Sequence, residues 1–362
     1  MTKKPTLFTR RRFHAGTASI PLLAATSPVF GGTKTVEDRL RDAWEDGQLE
    51  DLHAVLTLRN GETFAEAYFE GHDEIWGRPV GLVQHGADTL HDLRSVTKSV
   101  VALLYAIALD KGIVAEPDAP LLAQFPDYAD LAGDPRRDAI TVEDALTMRM
   151  GTQWDETIPY SDPKNSEIAM ENSDDRYRYV LEQPIVEDPG TVWNYSGGAT
   201  TLIGKLIANG AGMPLEDYAK AMLFEPLNIS RYEWMGFSEP AAASGLRLTA
   251  RDLAKIGEIV VGGGVYDGSR IVSAETLAAM LEPQVTVGDA FRYGWQWYLL
   301  GPGNPAPLAA GFGNGGQRLS INAKRGLVTV IYAGRYNDFE AWQLALKVVE
   351  AFIVPALETE GG

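Results

Sequence analysis

The sequence predicts an α+β fold, an α/β sandwich whose single antiparallel sheet is built from both ends of the chain. Strand patterns occur between residues 53 and 69 and again after residue 292, and helix patterns fill the region between them. We therefore predict a sheet flanked by terminal helices, with an all-helical region inserted between its two halves. The α/β part covers about residues 32–92 and 282–362, and the helical part about residues 93–281.

The first half of the predicted sheet follows an amphipathic helix at residues 37–50. Residues 53–58 have a strand pattern, Asn60-Gly61 is a tight-turn signal, and residues 63–69 alternate between apolar and polar side chains. These segments predict a β-hairpin. Residues 71–92 show no regular pattern, and we predict a loop there.

The middle of the chain is rich in proline, glycine and short helical patterns. Thr141 and Asp144 form an acidic variant of the capping box, so a helix is expected to begin there. Further helices are predicted at residues 174–181, 198–208, 215–223, 249–261 and 273–281.

The second half of the sheet begins after Arg292, where the pattern changes to short apolar or alternating segments. Strands are predicted at residues 293–300, 308–312, 318–322 and 327–332. An amphipathic helix at residues 339–355 is expected to close the fold and cover the sheet.

The first 31 residues have the pattern of an export signal. Thr9-Arg10-Arg11-Arg12-Phe13 is a twin-arginine motif, and the mild apolar stretch at residues 15–25 is too short to span a bilayer. We predict a twin-arginine signal peptide at residues 1–31. The mature protein is then expected to be periplasmic or secreted, with no membrane anchor after signal removal.

Composition excludes several classes of function. The 362-residue chain has a formal net charge of −17, which argues against nucleic acid and anionic membrane surfaces as partners. It contains no cysteine, so disulfides, thiolate catalysis and cysteine-bound zinc are excluded. A small-molecule substrate is the expected partner.

A Ser-x-x-Lys motif, Ser95 to Lys98, precedes the apolar run at residues 100–109. At the start of a helix this spacing places the two side chains one turn apart on one face. Burial and the positive end of the helix dipole should lower the pKa of Lys98, and a neutral amine can take the serine proton. The structural alternative is a capping serine and a lysine whose stem covers apolar surface.

Two further segments could complete a site. Tyr195 lies in Trp193-Asn194-Tyr195-Ser196-Gly197-Gly198, a tight loop before a helix, where its hydroxyl could enter a cleft or simply be half-buried. The small residues around Gly311 and Gly313 would let a substrate approach the backbone, where a free N–H can stabilise an oxyanion. Gly311-x-Gly313-x-x-Gly316 matches a dinucleotide fingerprint literally, but a strand follows where that motif needs a helix, so we predict no cofactor.

In this order and at these separations, the motifs resemble the serine β-lactamase and penicillin-binding protein superfamily. The greatest likeness is to class C β-lactamases and to their esterase and nylon-oligomer (6-aminohexanoate-dimer) hydrolase relatives. The resemblance spans about residues 40–350 and rests on Arg94-Ser95-Val96-Thr97-Lys98-Ser99, Leu146-Thr147-Met148, Tyr195-Ser196-Gly197, Leu246–Leu253, Tyr293-Gly294-Trp295-Gln296-Trp297 and Gly313-Asn314-Gly315-Gly316-Gln317.

The resemblance implies a β-lactamase/transpeptidase-like fold and a serine hydrolase that acts through an acyl-enzyme on an ester or amide. Ser95 would be the nucleophile, Lys98 its base and Tyr195 the proton shuttle. The Ser95 N–H and a second N–H near Phe312, in the segment with Gly311 and Gly313, would form the oxyanion hole. No metal is implied.

Two departures from the family pattern bear on the substrate. Gly197 replaces an asparagine that often ends the tyrosine motif, and Ala310-Gly311-Phe312 lacks the cation of the usual Lys-Thr-Gly or His-x-Gly segment. Both favour a carboxylesterase or linear-amide hydrolase over a β-lactamase or D-alanyl peptidase. A binding protein of the same fold without turnover is the remaining alternative.

Other catalytic classes have weaker support. All five histidines precede residue 92 and no Gly-x-Ser-x-Gly elbow occurs, which argues against a Ser-His-Asp hydrolase. His91 is interpreted as a loop residue. Gly71-His72-Asp73-Glu74 is interpreted as a solvated loop, since no spaced histidine pair indicates a metal site. A set of aromatic residues could line a cleft or pack in the core: Trp154, Tyr160, Trp234, Phe237, Phe312 and Trp342.

Overall fold

The computed structural model describes residues 34–289, 291–301 and 308–359. The predicted signal peptide lies outside these residues. Helices α1–α12 span, in chain order, Val36–Glu45, Val96–Asp110, Pro135–Asp138, Val142–Leu146, Ser166–Glu171, Arg176–Leu181, Gly197–Ala211, Leu215–Ala219, Ala250–Val261, Ala274–Met280, Trp342–Val348 and Val354–Thr359. Strands β1–β15 span Leu52–Arg59, Glu62–Tyr68, Glu70–Ile75, Arg78–Gln84, His91–Asp92, Glu233–Trp234, Leu246–Leu248, Val265–Tyr266, Ser269–Arg270, Val285–Val287, Phe291–Tyr293, Tyr298–Leu300, Leu308–Gly313, Gln317–Asn322 and Leu327–Ala333.

The largest sheet is antiparallel and joins the two ends of the chain. Its strand order is β10-β11-β12-β13-β14-β15-β1-β2. The junction is the pairing of β1 with β15, in which Val55 lies opposite Ile331. The helices from α2 to α10 lie between the two halves of this sheet in sequence. The predicted α+β fold is therefore confirmed.

The sheet has an apolar core on each face because successive side chains of a strand point in opposite directions. On β1, Ala54 and Leu56 join the larger core, which contains buried residues of α2, α7 and α9. Val55 lies between them in sequence and joins the second core with residues of α1 and α11. The terminal helices thus cover one face and the inserted helical region covers the other.

Short sequence signals predicted two local features of the fold correctly, a hairpin turn and a helix start. Asn60 and Gly61 both have positive φ, at 53° and 80°, which matches the twist of a two-residue hairpin between β1 and β2. The Thr141 side chain accepts from the Asp144 N–H, and Asp144 accepts in return from the Thr141 N–H. This reciprocal capping box starts α4 as predicted.

Two predictions of local structure were wrong. Residues 71–92 are not a loop, because β3 pairs with β4 and β5 pairs with β7. The β4 side chains are almost all exposed, so the strand has no apolar alternation to reveal it. The predicted strand at residues 293–300 is interrupted at Gln296, whose φ is +55° and whose carbonyl accepts from the Ser99 hydroxyl at 2.8 Å.

Within the described part of the chain, no helix is both long and apolar enough to cross a membrane.

Candidate active site

The Ser-x-x-Lys motif lies at the start of α2, in the centre of the molecule. Lys98 Nζ donates to Ser95 Oγ at 3.2 Å and to the Ala243 carbonyl at 2.9 Å. Lys98 is only 2% exposed, whereas Ser95 is half-buried. The Ser95 hydroxyl does not cap the helix, so it remains available to the space in front of α2. The structure therefore brings the two residues together as the spacing predicts.

The ionisation of Lys98 differs from the prediction. Burial lowers its pKa, but the negative charges of Glu167 and Glu156, and that of Tyr195 when its phenol ionises, raise it more, and the net pKa lies above the ordinary lysine value. The Lys98 Nζ–Glu167 Oε2 distance is 3.6 Å. The sequence argument counted only burial and the helix dipole, because the carboxylates come from distant segments. Lys98 is consequently an ammonium ion in the resting protein.

Tyr195 belongs to the same site as Ser95 and Lys98. Its ring centroid is 5.0 Å from Lys98 Nζ, and its side chain is part of the cleft that contains Ser95. Burial raises the Tyr195 pKa, although the Lys98 charge and a hydrogen bond with Ser95 act to lower it. The phenol is therefore protonated and can donate a proton to a group bound at Ser95.

Two carboxyl groups complete the site, the buried Glu167 and the half-buried Glu156, and sequence analysis did not identify them. Glu156 accepts from the Gly197 N–H at 2.5 Å and from the Tyr160 hydroxyl at 2.9 Å. Burial and the neighbouring Glu167 raise the pKa of Glu156 to about 7. We call Lys98, Glu156 and Glu167 the acid–lysine cluster. No short motif marks these acids, which reach Lys98 only through folding.

The departure at Gly197 has a structural explanation. A Cβ atom at this position would lie 2.5 Å from Glu167 Oε2 and 2.8 Å from the Glu167 carboxyl carbon. The Glu167 carboxylate therefore occupies the space that a side chain at residue 197 would need. Where the resemblance leads one to expect an asparagine beside the lysine, this chain places a carboxylate from α5.

The predicted oxyanion segment runs along β13, which packs against α2. A Cβ at Gly311 would lie 3.0 Å from Ser99 Oγ, and one at Gly313 would lie 2.5 Å from the Leu93 carbonyl. Only glycine allows this close approach of the strand to the helix start. Phe312 lies between them and faces the cleft with Ser95. The dinucleotide interpretation is excluded by structure, since β14 is a strand.

Ser95 lies where two clefts meet. One has a volume of about 380 Å³ and includes Tyr195 and Phe312, and the other has a volume of about 530 Å³ and includes Trp76 and Met235. Of the aromatic residues considered above, four line these clefts: Tyr160, Phe237, Phe312 and Trp342. Trp154 and Trp234 are buried core residues instead. A substrate could therefore reach Ser95 and place one part in each cleft.

A second polar cluster lies behind the start of α2. His53, Asp73, His85 and His91 are all buried, and their potential ligand atoms lie within 4.8 Å of one another. We call these four residues the histidine cluster. The interpretations of His91 and Asp73 as loop residues were wrong, because His91 belongs to β5 and Asp73 to β3. Sequence spacing gave no signal, since the four side chains come from separate strands or strand ends.

The imidazoles of this cluster are neutral. Burial is the largest cause, and it lowers the pKa of His53 to about 3 and that of His91 to about 4. Burial also lowers the pKa of His85. No hydrogen bond or ion pair joins the cluster directly to Ser95 among the contacts of the described residues.

Comparison with known proteins identifies the family. The Beta-lactamase family matches residues 36–349. The 6-aminohexanoate-dimer hydrolase of Paenarthrobacter ureafaciens is 25% identical over 319 residues, which are 82% of this chain and 74% of the relative.

Solved structures show the same fold. EstCE1, a hydrolase with promiscuous acyltransferase activity, has a TM-score of 0.68 at 17% identity, covering 88% of this chain and 96% of that one. A penicillin-binding protein homologue from Caulobacter crescentus has a TM-score of 0.66 at 18% identity, covering 90% and 99%. The predicted resemblance is confirmed, and this chain belongs to the Beta-lactamase family, as a serine-type hydrolase of ester or amide bonds.

Proposed function

We propose that this protein is a carboxylesterase or linear-amide hydrolase in which Ser95 forms the acyl-enzyme. The observation that carries the proposal is the contact of Lys98 Nζ with Ser95 Oγ at 3.2 Å, at the meeting point of two clefts. A serine held beside a buried amine is the arrangement expected of an activated nucleophile.

In the proposed acylation step, the neutral form of Lys98 takes the Ser95 proton as Oγ attacks the substrate carbonyl. The new Oγ–C bond forms, and the bond to the leaving alcohol or amine breaks. Tyr195 donates a proton to the leaving group and is reprotonated through Lys98. Water then attacks the acyl-enzyme, releasing the acid and restoring the Ser95 hydroxyl.

Negative charge develops on the carbonyl oxygen during both steps. We assign its stabilisation to the N–H groups of Ser95 and Phe312, because the β13 backbone around Gly311 and Gly313 lies directly against the start of α2. Backbone donors fixed in this way need no rearrangement during reaction. Their position explains why small residues flank Phe312.

This mechanism requires neutral Lys98, whereas Lys98 is an ammonium ion in the resting protein. Because Glu167 and Glu156 raise the Lys98 pKa, only a small fraction of the protein holds the neutral amine at neutral pH. The reactive fraction should grow as the pH rises. The acid–lysine cluster therefore sets the pH range in which the enzyme works.

The relatives and the β13 segment indicate the substrate class. The curated relative is named a 6-aminohexanoate-dimer hydrolase, and a family VIII carboxylesterase shares the fold. The β13 segment has no cation to hold the carboxylate of a β-lactam or peptidoglycan stem. We therefore favour short acyl esters and linear amides over β-lactams.

The direct test is labelling with a fluorophosphonate probe, followed by peptide mass spectrometry. Wild-type protein should carry the label on Ser95, and Ser95→Ala should carry none. Ser273→Ala is a control, because the Ser273 hydroxyl is engaged at the start of α10, where it accepts from the Thr276 N–H at 3.0 Å. A folded wild-type sample that does not label would refute the catalytic proposal and favour a binding protein.

Hydrolysis of short acyl esters, linear amides and cephalosporins should be measured beside Ser95→Ala. Ester or linear-amide turnover that disappears in the variant supports the proposal. Turnover confined to cephalosporins would overturn the proposed substrate class and favour the β-lactamase alternative.

We also propose that residues 1–31 are a twin-arginine signal and that the mature enzyme works in the periplasm or outside the cell. The motif Arg10-Arg11-Arg12-Phe13 supports this. Fractionation of expressing cells should find the processed protein in the periplasm, and Arg10, Arg11 and Arg12 changed together to Lys should keep it in the cytoplasm.

A further inference from the structure

We propose that His53, Asp73, His85 and His91 bind one divalent transition-metal ion and form a structural site, with Zn²⁺ as the ion best suited to these ligands. The four side chains come from β1, β3, the residue after β4, and β5, and so from separate sheets. An ion among them would join the β3–β4 hairpin and β5 to β1 of the large sheet.

The donor set matches the chemistry of Zn²⁺. Three imidazoles and one carboxylate offer four ligand atoms, and all four lie within 4.8 Å of one another. Ligands at 2.0–2.2 Å from a tetrahedral ion lie roughly 3.4 Å apart, and the stacked rings of His53 and His85 would have to rotate apart for both to reach one ion. Cysteine is not needed, and nitrogen and oxygen donors alone satisfy Zn²⁺.

His91 has the orientation of a metal ligand. Its Nδ1 is 3.1 Å from the Asp92 carbonyl, which can only accept, so Nδ1 carries the proton. Nε2 therefore presents its lone pair to the centre of the cluster, 3.7 Å from Asp73 Oδ1. A histidine that ligates a metal commonly donates its other ring N–H to a carbonyl in this way.

Asp73 is held by a second layer of donors. Its Oδ1 accepts from the Tyr336 hydroxyl at 2.7 Å and from the Glu74 N–H at 2.8 Å. These bonds fix the carboxylate beside the imidazoles. Its negative charge would offset part of the charge of a divalent ion in this buried place.

The cluster does not satisfy its own polar atoms. His53 Nδ1 and His91 Nε2 are 2.9 Å apart and share one hydrogen bond, while Nε2 of His53 and Nε2 of His85 are buried without a partner. Leaving two buried ring nitrogens unpaired is costly. A metal ion would take one lone pair from each ring, and for His53 and His91 this coordination would replace the hydrogen bond that the two rings share.

A bound ion would stabilise the fold and hold β5 in position, and it would take no part in hydrolysis. Asp92 follows His91 and holds Arg247 at 2.7 Å and Arg94 at 3.0 Å, and Arg94 directly precedes Ser95. A metal ion would therefore anchor the strand that leads into the start of α2. The cluster is closed, so it offers no open coordination position to a substrate.

The test uses the full-length protein and Zn²⁺ alone as the probe. After treatment with a chelator and dialysis, one equivalent of Zn²⁺ should bind per chain by elemental analysis and raise the melting temperature. Co²⁺ in its place should give the visible bands of a tetrahedral site. A wild-type protein that retains no Zn²⁺ and melts at the same temperature with and without it would overturn the proposal.

Variants locate the ion. His85→Phe keeps the ring that stacks on His53 at 4.1 Å but removes the nitrogens, so it should lose the stoichiometric Zn²⁺ and the stabilisation. His72→Asn is the matched control, because His72 is exposed on the same β3 strand as Asp73, and it should bind as the wild type does. Binding that survives in His85→Phe, or disappears in His72→Asn, would refute this site.

Tyr336→Phe gives a graded measurement that does not depend on the folding of a ligand variant. It removes the hydrogen bond to Asp73 and leaves all four ligands, so Zn²⁺ affinity should fall by about 10–100-fold. Unchanged affinity would show that Asp73 is not a ligand. Zn²⁺ binding and the melting temperature are measured without hydrolysis, so their outcome does not depend on the proposed catalytic role of Ser95.

Discussion

The segment that joins β5 to α2 links two polar clusters in the chain, since His91 lies on β5 and Lys98 on α2, and these clusters differ in charge and access. The acid–lysine cluster holds an ammonium among carboxyl groups and opens to two clefts at Ser95. The histidine cluster holds three neutral imidazoles and one carboxylate, and it is closed. The histidine cluster is enclosed by protein, whereas the acid–lysine cluster borders a space that a substrate can enter.

The comparison shows how burial and neighbouring charge combine. Burial raises the pKa of Glu156 and lowers the pKa of His53 and His91, because in each case it disfavours the charged form. Lys98 departs from this pattern because neighbouring charges, that of Glu167 above all, outweigh burial, and Asp73 departs from it because His91 and the Tyr336 hydroxyl outweigh burial. A buried charge is thus retained where opposite charges or hydrogen-bond donors are close, and Lys98, beside the proposed nucleophile Ser95, is one such charge.

The largest expected effect is the loss of hydrolysis in Lys98→Ala. Removing the proposed proton acceptor of Ser95 should lower kcat/KM by about a thousandfold, within the usual range for a catalytic base. Lys205→Ala is the matched control, because Lys205 also lies beside a tyrosine ring, that of Tyr177, but in another part of the molecule. Equal activity in Lys98→Ala and in the wild type would show that the acid–lysine cluster takes no part in hydrolysis.

A smaller effect is expected on pH dependence in Glu167→Gln. The Glu167 charge raises the Lys98 pKa, and the neutral amine is the reactive form, so kcat/KM should increase with pH. Without that charge the Lys98 pKa falls, and the rising limb should move to lower pH by about 1–3 units. Glu258→Gln is the control, since Glu258 is half-buried and its charge interacts with Lys255 instead of Lys98. Coincident profiles in all three proteins would contradict the role of Glu167.

The smallest effect concerns the space that Glu167 occupies. Gly197→Asn should destabilise the protein by about 1–3 kcal/mol, because a side chain there meets the Glu167 carboxylate. In the double variant with Glu167→Ala the clash is gone, and part of the loss should be recovered. Urea unfolding of the two single variants and the double variant measures this coupling. Strictly additive losses would show that the two positions do not compete for space.

Some of this organisation was predictable because it is local. The three-residue spacing of Ser95 and Lys98 fixes their proximity once a helix forms, and Asn60-Gly61 fixes a hairpin through its backbone angles. The order of the motifs also indicated the family, which fixes the sheet topology. The strand at residues 78–84 escaped prediction because its side chains are exposed on both faces and so leave no apolar pattern.

The sequence by itself determined the fold and the position of the serine and lysine, because helix periodicity and turn geometry act over a few residues. Only the tertiary structure decided the ionisation of Lys98, since Glu156 and Glu167 reach it from segments about 60 residues or more away in the chain. It also decided the histidine cluster, whose members belong to different strands. Charge and coordination depend on atoms that are close in space, and sequence spacing does not report that proximity.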